Sequence, residues 1–305
     1  MMRKIINLPH LADQIFGVPQ YATRQLMETV KSVIVPRLQG VTETDITLDV
    51  PSGGSAGQSG VPQQSGVAVI PVHGILVPRR GQIDAACTEL TSYERLRSQI
   101  YAALNDPSVS EIVLDINSGG GMATGCKELA DYIFASRDSK PVTAIVNFNA
   151  FSAAYFLASA CGQVIVSQTG GVGSVGVLLE HMETAGMEAQ MGIKFTTFFR
   201  GDHKNDGSPH EPLTDLAIAA INARMDDMYQ VFTTSVAEYR GMDVQAVTDT
   251  QAAIYQGQQA IDAGLADLLM PPQDAINMIA QRNTVKTGKS SIQVRAAVMA
   301  QQMRM

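Results

Sequence analysis

From residue 67 onward, short apolar runs alternate with segments of helical periodicity, and this alternation limits the possible folds more than any other feature. The runs VAVIPV at 67–72, EIVLDI at 111–116 and PVTAIV at 141–146 have the composition of buried strands. Helical spacing of apolar residues falls between them, over 92–105 and about 124–137. Strands that alternate with helices of this length indicate βαβ units, so we expect an α/β fold with a mostly parallel sheet.

The same pattern continues toward the carboxyl end. We expect a short apolar helix over 152–160, a fourth strand at 163–167, a fifth strand, KFTTFF, at 194–199, and a long amphipathic helix over 214–239. The expected buried stripe of that helix is Leu216, Ile221, Met225, Met228 and Phe232.

The two ends of the chain differ from this central region. Residues 20–35 have helical periodicity between Pro19 and Pro36. The Gly, Ser, Pro and Gln residues of 51–66 cannot bury a core, which predicts a flexible linker. Residues 281–305 contain five basic residues and no acidic ones, typical of a partly disordered end or of a segment that docks on an acidic partner. The predicted parts are an extension at 1–50, the linker at 51–66, a main domain at 67–272 and a tail at 273–305.

Composition excludes several classes of protein. Only 17% of the 305 residues are charged and the net charge is -7, which argues against nucleic acid as the main partner. Three cysteines, Cys87, Cys126 and Cys161, predict reduced thiols and no disulfide framework. The chain lacks both the 18–20 apolar residues of a membrane span and the pattern of a signal peptide. We therefore expect no membrane span and a cytoplasmic location.

Three loops that follow predicted strands carry the candidate chemistry, because sites form at the carboxyl ends of parallel strands. NSGGG at 117–121 can present backbone N–H groups to an anion or can be a simple tight turn. Ser152 opens an apolar helix, where it is either a helix cap or a nucleophile. Lys204 lies in a polar loop after KFTTFF, where it is either a solvated surface lysine or a base for a serine. A lysine can act as a base when burial lowers its pKa toward neutrality.

Other catalytic groups have less support. The five histidines, His10, His73, His181, His203 and His210, lie in neither a G-x-S-x-G nor an H-E-x-x-H context. His203 beside Asp202 is the one histidine considered as a base, although adjacent residues rarely share a functional face. The cysteines are scattered, so a cysteine nucleophile and a metal site both lack a supporting cluster. No metal and no cofactor is expected.

Five segments together extend the analysis. In order, they are NSGGG at 117–121, FSAAYFLASAC at 151–161, GGVGSVGV at 170–177, HKNDGSP at 203–209 and GQQAIDAGLAD at 257–267. They resemble the signal peptide peptidase A family of serine peptidases. NLPHLADQIF near the amino end and AIYQGQQAIDAGLADLL resemble the lambda-type prohead proteases, the branch of that family that matures tailed-phage capsids.

The resemblance implies a Clp-protease/crotonase-like fold of repeated ββα units and a homo-oligomer. It implies that Ser152 is the nucleophile, that Lys204 is the general base and that Ser174 orients the lysine. Gly120, with the backbone of Gly121 or Ala153, would form the oxyanion hole. The family has a proline where this chain has Gly119, which makes the oxyanion donor less secure than the dyad.

The implied function is serine endopeptidase activity on scaffold, portal or capsid proteins, in the host cytoplasm and within the prohead. Three alternatives remain. The chain could be a signal-peptide-peptidase-like protease of host or prophage origin that degrades other peptides. It could be a catalytically silent scaffold or assembly factor. It could also be a crotonase relative that binds acyl-coenzyme A, which needs an acidic catalytic residue and neither Ser152 nor Lys204.

Overall fold

A computed structural model describes residues 15–38, 63–64, 66–79 and 90–283. These residues form twelve strands and eight numbered helices. The strands are β1 (Gln20–Ala22), β2 (Gln63–Gln64), β3 (Val67–His73), β4 (Leu76–Val77), β5 (Thr91–Ser92), β6 (Glu111–Ser118), β7 (Gly120–Met122), β8 (Val142–Phe151), β9 (Gln163–Val166), β10 (Gly171–Gly173), β11 (Ile254–Gln256) and β12 (Leu268–Leu269). The helices are α1 (Arg24–Leu38), α2 (Tyr93–Asn105), α3 (Cys126–Ser136), α4 (Ala153–Ser159), α5 (Ala185–Gln190), α6 (Asp215–Arg240), α7 (Val244–Thr248) and α8 (Gln258–Asp262). Residues 272–283 are also helical.

The described strands form two sheets. The main sheet has eight strands in the order β11-β10-β8-β6-β3-β2, with β9 also paired to β8 and β12 paired to β9. Its β3, β6, β8, β9, β10 and β12 are joined by parallel pairs, whereas β2 and β11 pair antiparallel at its ends. The smaller sheet has the order β1-β7-β4-β5. The predicted α/β fold with a mostly parallel sheet is therefore confirmed.

Strands of the two sheets alternate along the chain. Each of two successive units starts with a long strand of the main sheet, β3 or β6, and continues into a short strand of the small sheet, β4 or β7. Each unit then ends in a helix, α2 or α3. These are the ββα units of the Clp-protease/crotonase-like fold, which confirms that prediction as well.

The main sheet is buried on both faces, as expected for parallel strands covered by helices. Ile112, Leu114 and Ile116 of β6 point into the larger core, with α2, α3 and α4. Val113 points to the opposite face, where Val67 lies beside Ala275 from the helix at 272–283. This alternation follows from the two-residue period of a strand. Residues from the start of the predicted tail therefore pack against the main sheet.

Three predictions about local structure need correction. Residues 194–199 were expected to form a strand, but they are exposed and make no strand, so Lys204 does not follow a strand end. The helix expected over 20–35 begins only at Arg24, because Gln20–Ala22 pairs with β7 as a strand. It also continues through Pro36, to Leu38. In α6, Leu216 is exposed and only Phe232 of the expected stripe is fully buried.

Most of the predicted linker lies outside the described residues, as do residues 1–14 and 284–305. Within the linker, Gln63–Gln64 pairs with the start of β3 as a short edge strand. The predicted boundaries of extension, linker, main domain and tail stay predictions.

A buried carboxylate anchors the helix at 272–283 to the sheet. Glu111, at the start of β6, has no exposed surface. Its oxygens accept hydrogen bonds from Thr143 Oγ1 at 3.0 Å and Asn283 Nδ2 at 3.2 Å, and it is paired with Arg282. A buried charge is tolerated only when it is paired and hydrogen-bonded. Arg282 and Asn283, the two partners on the helix, therefore hold it against the sheet, and Thr143 of β8 supplies the third bond.

We expect Glu111→Ala to lower the free energy of unfolding by about 3 kcal/mol, because it leaves buried donors unpaired and opens a cavity. Urea denaturation measures this change. The matched control, Glu128→Ala on the exposed face of α3, should stay within about 0.5 kcal/mol of the parent. Equal stability of the two variants would contradict the anchoring role of Glu111.

Candidate active site

The candidate site forms where β8 changes partners. The first half of β8 pairs with β9 through Thr143–Val146, and its second half pairs with β10 through Asn149–Phe151. The strand ends at Phe151, so Ser152 stands between the end of β8 and the start of α4. A residue in that position is held from both sides by regular structure.

Ser152 is buried and has a strained backbone. Its φ of 54° and ψ of -117° lie in a region that non-glycine residues rarely occupy. Its N–H donates to the Gly173 carbonyl at 2.9 Å, and its own carbonyl accepts from the Phe156 N–H at 2.8 Å. Its Oγ donates to the Gly176 carbonyl at 3.4 Å, and the residue has no exposed surface. A serine on a strained turn between strand and helix is the arrangement that aims the nucleophile of α/β-hydrolases.

Ser174 lies beside Ser152. Phe151 and Gly173 lie opposite one another on the parallel strands β8 and β10. Ser152 directly follows Phe151, and Ser174 directly follows Gly173. Ser174 also has a positive φ, of 54°, and its N–H donates to the Ala253 carbonyl at 2.9 Å. The structure thus brings together the two serines that the sequence singled out.

The glycine-rich loop passes close to the same point. A Cβ on Gly120, whose φ is 104°, would lie 2.2 Å from the Tyr21 carbonyl oxygen and 3.1 Å from the Phe151 carbonyl oxygen. A Cβ on Gly121 would lie 1.9 Å from the Leu76 carbonyl oxygen. Both positions therefore require glycine, Gly120 for its φ and both for the close approach of another backbone.

The expected oxyanion donors are not equally available. The Gly120 N–H donates to Ser118 Oγ at 3.0 Å, and that hydroxyl in turn donates to the Gly74 carbonyl at 2.6 Å. Ala153 is the first residue of α4, and the first N–H groups of a helix have no carbonyl partner within it. Ser118 was not singled out from the sequence, although it belongs to the NSGGG motif.

The Lys204 amine has no bond to Ser152 or Ser174 in the single chain. Lys204 lies in an exposed turn, its N–H donates to the Gly201 carbonyl at 3.0 Å, and its Nζ has no hydrogen bond or ion pair with any described residue. The structure therefore brings together Ser152, Ser174, Gly120, Gly121 and Ala153, but shows no bond from the predicted base to any of them.

No described histidine is bonded to Ser152, whose Oγ donates to the Gly176 carbonyl. Three histidines pair with carboxylates elsewhere: His73 with Asp115 at 3.1 Å, His203 with Asp206 at 2.8 Å and His210 with Glu188 at 2.8 Å. Within the described ranges, no group of three His, Cys, Asp or Glu residues could hold a metal ion.

The two described cysteines are unsuited to nucleophilic attack. Cys126 and Cys161 are buried free thiols. Burial raises the pKa of Cys161 to about 12 and holds the pKa of Cys126 well above its ordinary value. A thiol must ionise to attack a carbonyl, so both thiols are inert at neutral pH.

The motif at 257–267 supports the site through the fold. Asp267 pairs with Arg240 at the end of α6 at 2.6 Å and accepts the Val164 N–H at 2.7 Å. The Tyr155 hydroxyl of α4 donates to the Leu265 carbonyl at 3.0 Å. This segment therefore joins β9, α6 and the helix that begins beside Ser152.

Residues 135–286 match the sequence profile of peptidase family S49. The chain is 35% identical, over 96% of its length, to "Capsid assembly protease C" of Escherichia phage lambda, and covers 69% of that protein. It is 41% identical, over 71% of its length, to "Head-tail preconnector protein GP5" of Enterobacteria phage P21, and covers 43% of that protein. A more distant relative is a "Putative signal peptide peptidase SppA" of Enterococcus faecium, at 22% identity over 70% of this chain and 62% of that protein. The chain belongs to peptidase family S49.

This membership confirms the resemblance to signal peptide peptidase A and to the lambda-type prohead proteases. Among the helices of the described residues, none is long and apolar enough to cross a membrane.

We expect Gly121→Ala to lower the free energy of unfolding by about 3 kcal/mol, because its new methyl group would overlap the Leu76 backbone. Thermal and urea unfolding measure this loss. Gly186→Ala is the matched control, since Gly186 lies in α5 with no atom within 4 Å of an added Cβ. That variant should be unchanged or slightly more stable, because alanine favours helix. Equal loss in both variants would contradict the close approach.

We expect iodoacetamide at pH 8 to leave Cys126 and Cys161 unmodified in the folded chain and to alkylate both after unfolding. Because both pKa values are raised in the folded state, the protonated thiols favour folding below about pH 9, and this contribution is lost as the pH rises further. Peptide mapping by mass spectrometry measures each thiol separately. Rapid alkylation of either cysteine in the native state would contradict this prediction.

Proposed function

We propose that this protein is a serine endopeptidase with Ser152 as its nucleophile and Lys204 as its general base. The observation that carries the proposal is the buried, strained Ser152 placed beside Ser174 and the glycine-rich loop in a member of peptidase family S49. Strain of this kind persists in proteins where the surrounding structure enforces it, most often at functional sites.

The proposed chemistry follows the residues in order. Lys204 in its neutral form takes the proton of the Ser152 hydroxyl, whose oxygen attacks the peptide carbonyl. The Ala153 N–H stabilises the oxyanion, joined by Gly120 or Gly121 once a substrate carbonyl replaces the present backbone contacts. The lysine then gives its proton to the leaving amine, and water hydrolyses the acyl-enzyme.

Assembly is part of the proposal, because a lysine amine acts as a base only when it has lost its hydration. Lys204 is exposed in the single chain and must be buried against Ser152 and Ser174 for catalysis. The segment that carries it also exposes large apolar side chains, far more than an isolated surface tolerates. These are Met187, Met191, Ile193, Phe195, Phe198 (89% exposed), Phe199, Leu216 and Ile218. We propose that contact between copies of the chain covers this surface and brings the lysine to the site.

The proposed substrates are scaffold, portal or capsid proteins during phage prohead maturation, in the host cytoplasm and within the prohead. This rests on the names of the lambda and P21 relatives and on the large share of this chain that aligns with them. No cofactor is needed for the proposed reaction.

We expect Ser152→Ala and Lys204→Ala each to lower peptide cleavage roughly 10⁴-fold, because the two residues act as one unit. Intact-mass analysis after co-expression with the scaffold and portal proteins of the same phage detects the cleavage. The matched controls, Ser159→Ala in α4 and Lys127→Ala on the surface of α3, should cleave like the parent. If the parent cleaves nothing and a serine-directed fluorophosphonate fails to label Ser152 in the folded oligomer, the protease proposal is wrong and an assembly role takes its place.

We expect the activity per chain to fall when the protein is diluted below the concentration at which it dissociates. Dissociation would expose Lys204 to water again and so remove the base. Sedimentation and peptide cleavage measured on the same dilution series test this expectation. A monomer with full specific activity would contradict the assembly step, although not the identity of the nucleophile.

A further inference from the structure

The strand β1 pairs directly with β7, the strand that contains Gly120 and Gly121 of the candidate site. It pairs antiparallel with β7, so that Tyr21 is opposite Gly121 and Ala22 is opposite Gly120. These are the glycines that border Ser152. The Thr23 N–H then donates to the Gly119 carbonyl at 3.0 Å, which continues the pairing to the start of the glycine-rich loop.

The same segment is also paired along its other edge. The Gln20 N–H donates to the Leu178 carbonyl at 2.8 Å, and the Leu178 N–H donates to the Gln20 carbonyl at 3.0 Å. The Gly17 N–H donates to the Glu180 carbonyl at 2.9 Å. The strand Gln20–Ala22 therefore lies with β7 along one edge and is bonded through Gln20 to Leu178 on the other, while Gly17, with a φ of 73°, lies in the bend before it.

The backbone of this strand reaches the candidate site. The Tyr21 carbonyl oxygen and the Phe151 carbonyl oxygen both lie within 3.1 Å of the point where a Gly120 Cβ would be. Phe151 directly precedes Ser152. A peptide carbonyl of β1 thus stands beside the glycines and next to the residue that carries the nucleophile.

The Tyr21 side chain fills an apolar pocket behind the nucleophile helix. Its ring centroid lies 5.8 Å from that of Phe156 in α4 and 4.6 Å from that of Phe232 in α6. Its hydroxyl donates to the Met228 carbonyl at 2.7 Å, and only 1% of the residue is exposed. The pocket therefore offers apolar rings to pack against the Tyr21 ring and a carbonyl to accept its hydroxyl proton, as a buried aromatic residue with a polar tip requires.

We propose that Gln20–Ala22 occupies the peptide groove of this site as a substrate would, and that the Tyr21 pocket selects peptides with an aromatic side chain. The inference rests on the proposed peptidase function for the identity of the groove. Strand addition between two paired edges supplies backbone hydrogen bonds to any extended peptide, and a side-chain pocket supplies the preference. Substrates must then displace the chain's own segment, which makes β1 an internal competitor.

Ion pairs hold this competitor across the groove. The Glu180 carboxylate lies 2.7 Å from Arg24 Nη1 and 3.0 Å from Lys31 Nζ, both on α1 directly after the strand. Glu183 is exposed on the same segment and has no such partner among the described residues. Glu180 and Glu183 therefore provide a matched pair of positions for testing release of the segment.

The test uses the full chain with Ser152→Ala, so that peptide binding is measured without cleavage. The probe is a fluorescent peptide of residues 17–24, Gly-Val-Pro-Gln-Tyr-Ala-Thr-Arg, followed by fluorescence anisotropy. Gln20→Cys with Leu178→Cys joins the strand to its neighbour, because the Cα atoms of a hydrogen-bonded antiparallel pair are about 5.5 Å apart, within the range of a disulfide. Intact mass verifies that the disulfide has formed.

The reduced protein should bind the peptide, and the oxidised protein should bind it at least tenfold more weakly, because the locked strand cannot leave. A peptide with alanine in place of tyrosine should bind the reduced protein at least tenfold more weakly. Glu180→Gln, without the cysteines, should raise peptide affinity severalfold, whereas Glu183→Gln should not.

Equal binding by the oxidised and reduced proteins, or no binding by either, would overturn the inference. An alanine peptide that binds as tightly as the tyrosine peptide would overturn the aromatic preference. Because the readout is binding, it stays separate from the peptidase proposal. If the peptide binds with the expected pattern but protein that retains Ser152 cleaves no substrate, the result contradicts the peptidase proposal and supports the groove assignment.

Discussion

The site depends on one strand that changes partners along its length. The first half of β8 pairs with β9, whereas its second half pairs with β10. This exchange aligns Phe151 with Gly173 and so places Ser152 beside Ser174. The Ser152 N–H bond to Gly173 and the packing of α4 in the core then hold the serine in its strained geometry. If β9 continued as the partner of β8 along the whole of that edge, Gly173 would not lie opposite Phe151 and the two serines would not meet.

The alternation of apolar runs with segments of helical periodicity predicted the fold well. The strands at 67–72, 111–116 and 141–146 are present and extend further than expected, because paired neighbours continue them into the site. KFTTFF at 194–199 has the composition of a strand but pairs with no strand among the described residues, and strand propensity depends on such packing. The expected stripe of α6 was wrong at Leu216, because the buried residues of that helix lie mainly in its last part, between Phe232 and Tyr239.

The candidate site was predicted unevenly for a physical reason. Ser152, Ser174 and Gly120 lie on chain segments whose mutual positions follow from strand pairing, so a motif with its local context predicts where they meet. The role of β1 left no such signal, since a three-residue strand has no periodicity and its partner lies about a hundred residues away. Lys204 belongs to an exposed segment and its amine has no partner among the described residues, so no local pattern of the chain predicts where it acts.

The φ of 54° at Ser152 has a consequence for how such a chain changes over time. Holding a non-glycine residue in this conformation costs about 1–3 kcal/mol, a sizeable part of the net stability of a domain. Glycine would relieve that strain and remove the hydroxyl in the same step. Selection for stability alone would therefore drive position 152 toward glycine, and a lineage that no longer needed the hydroxyl would become more stable by losing it.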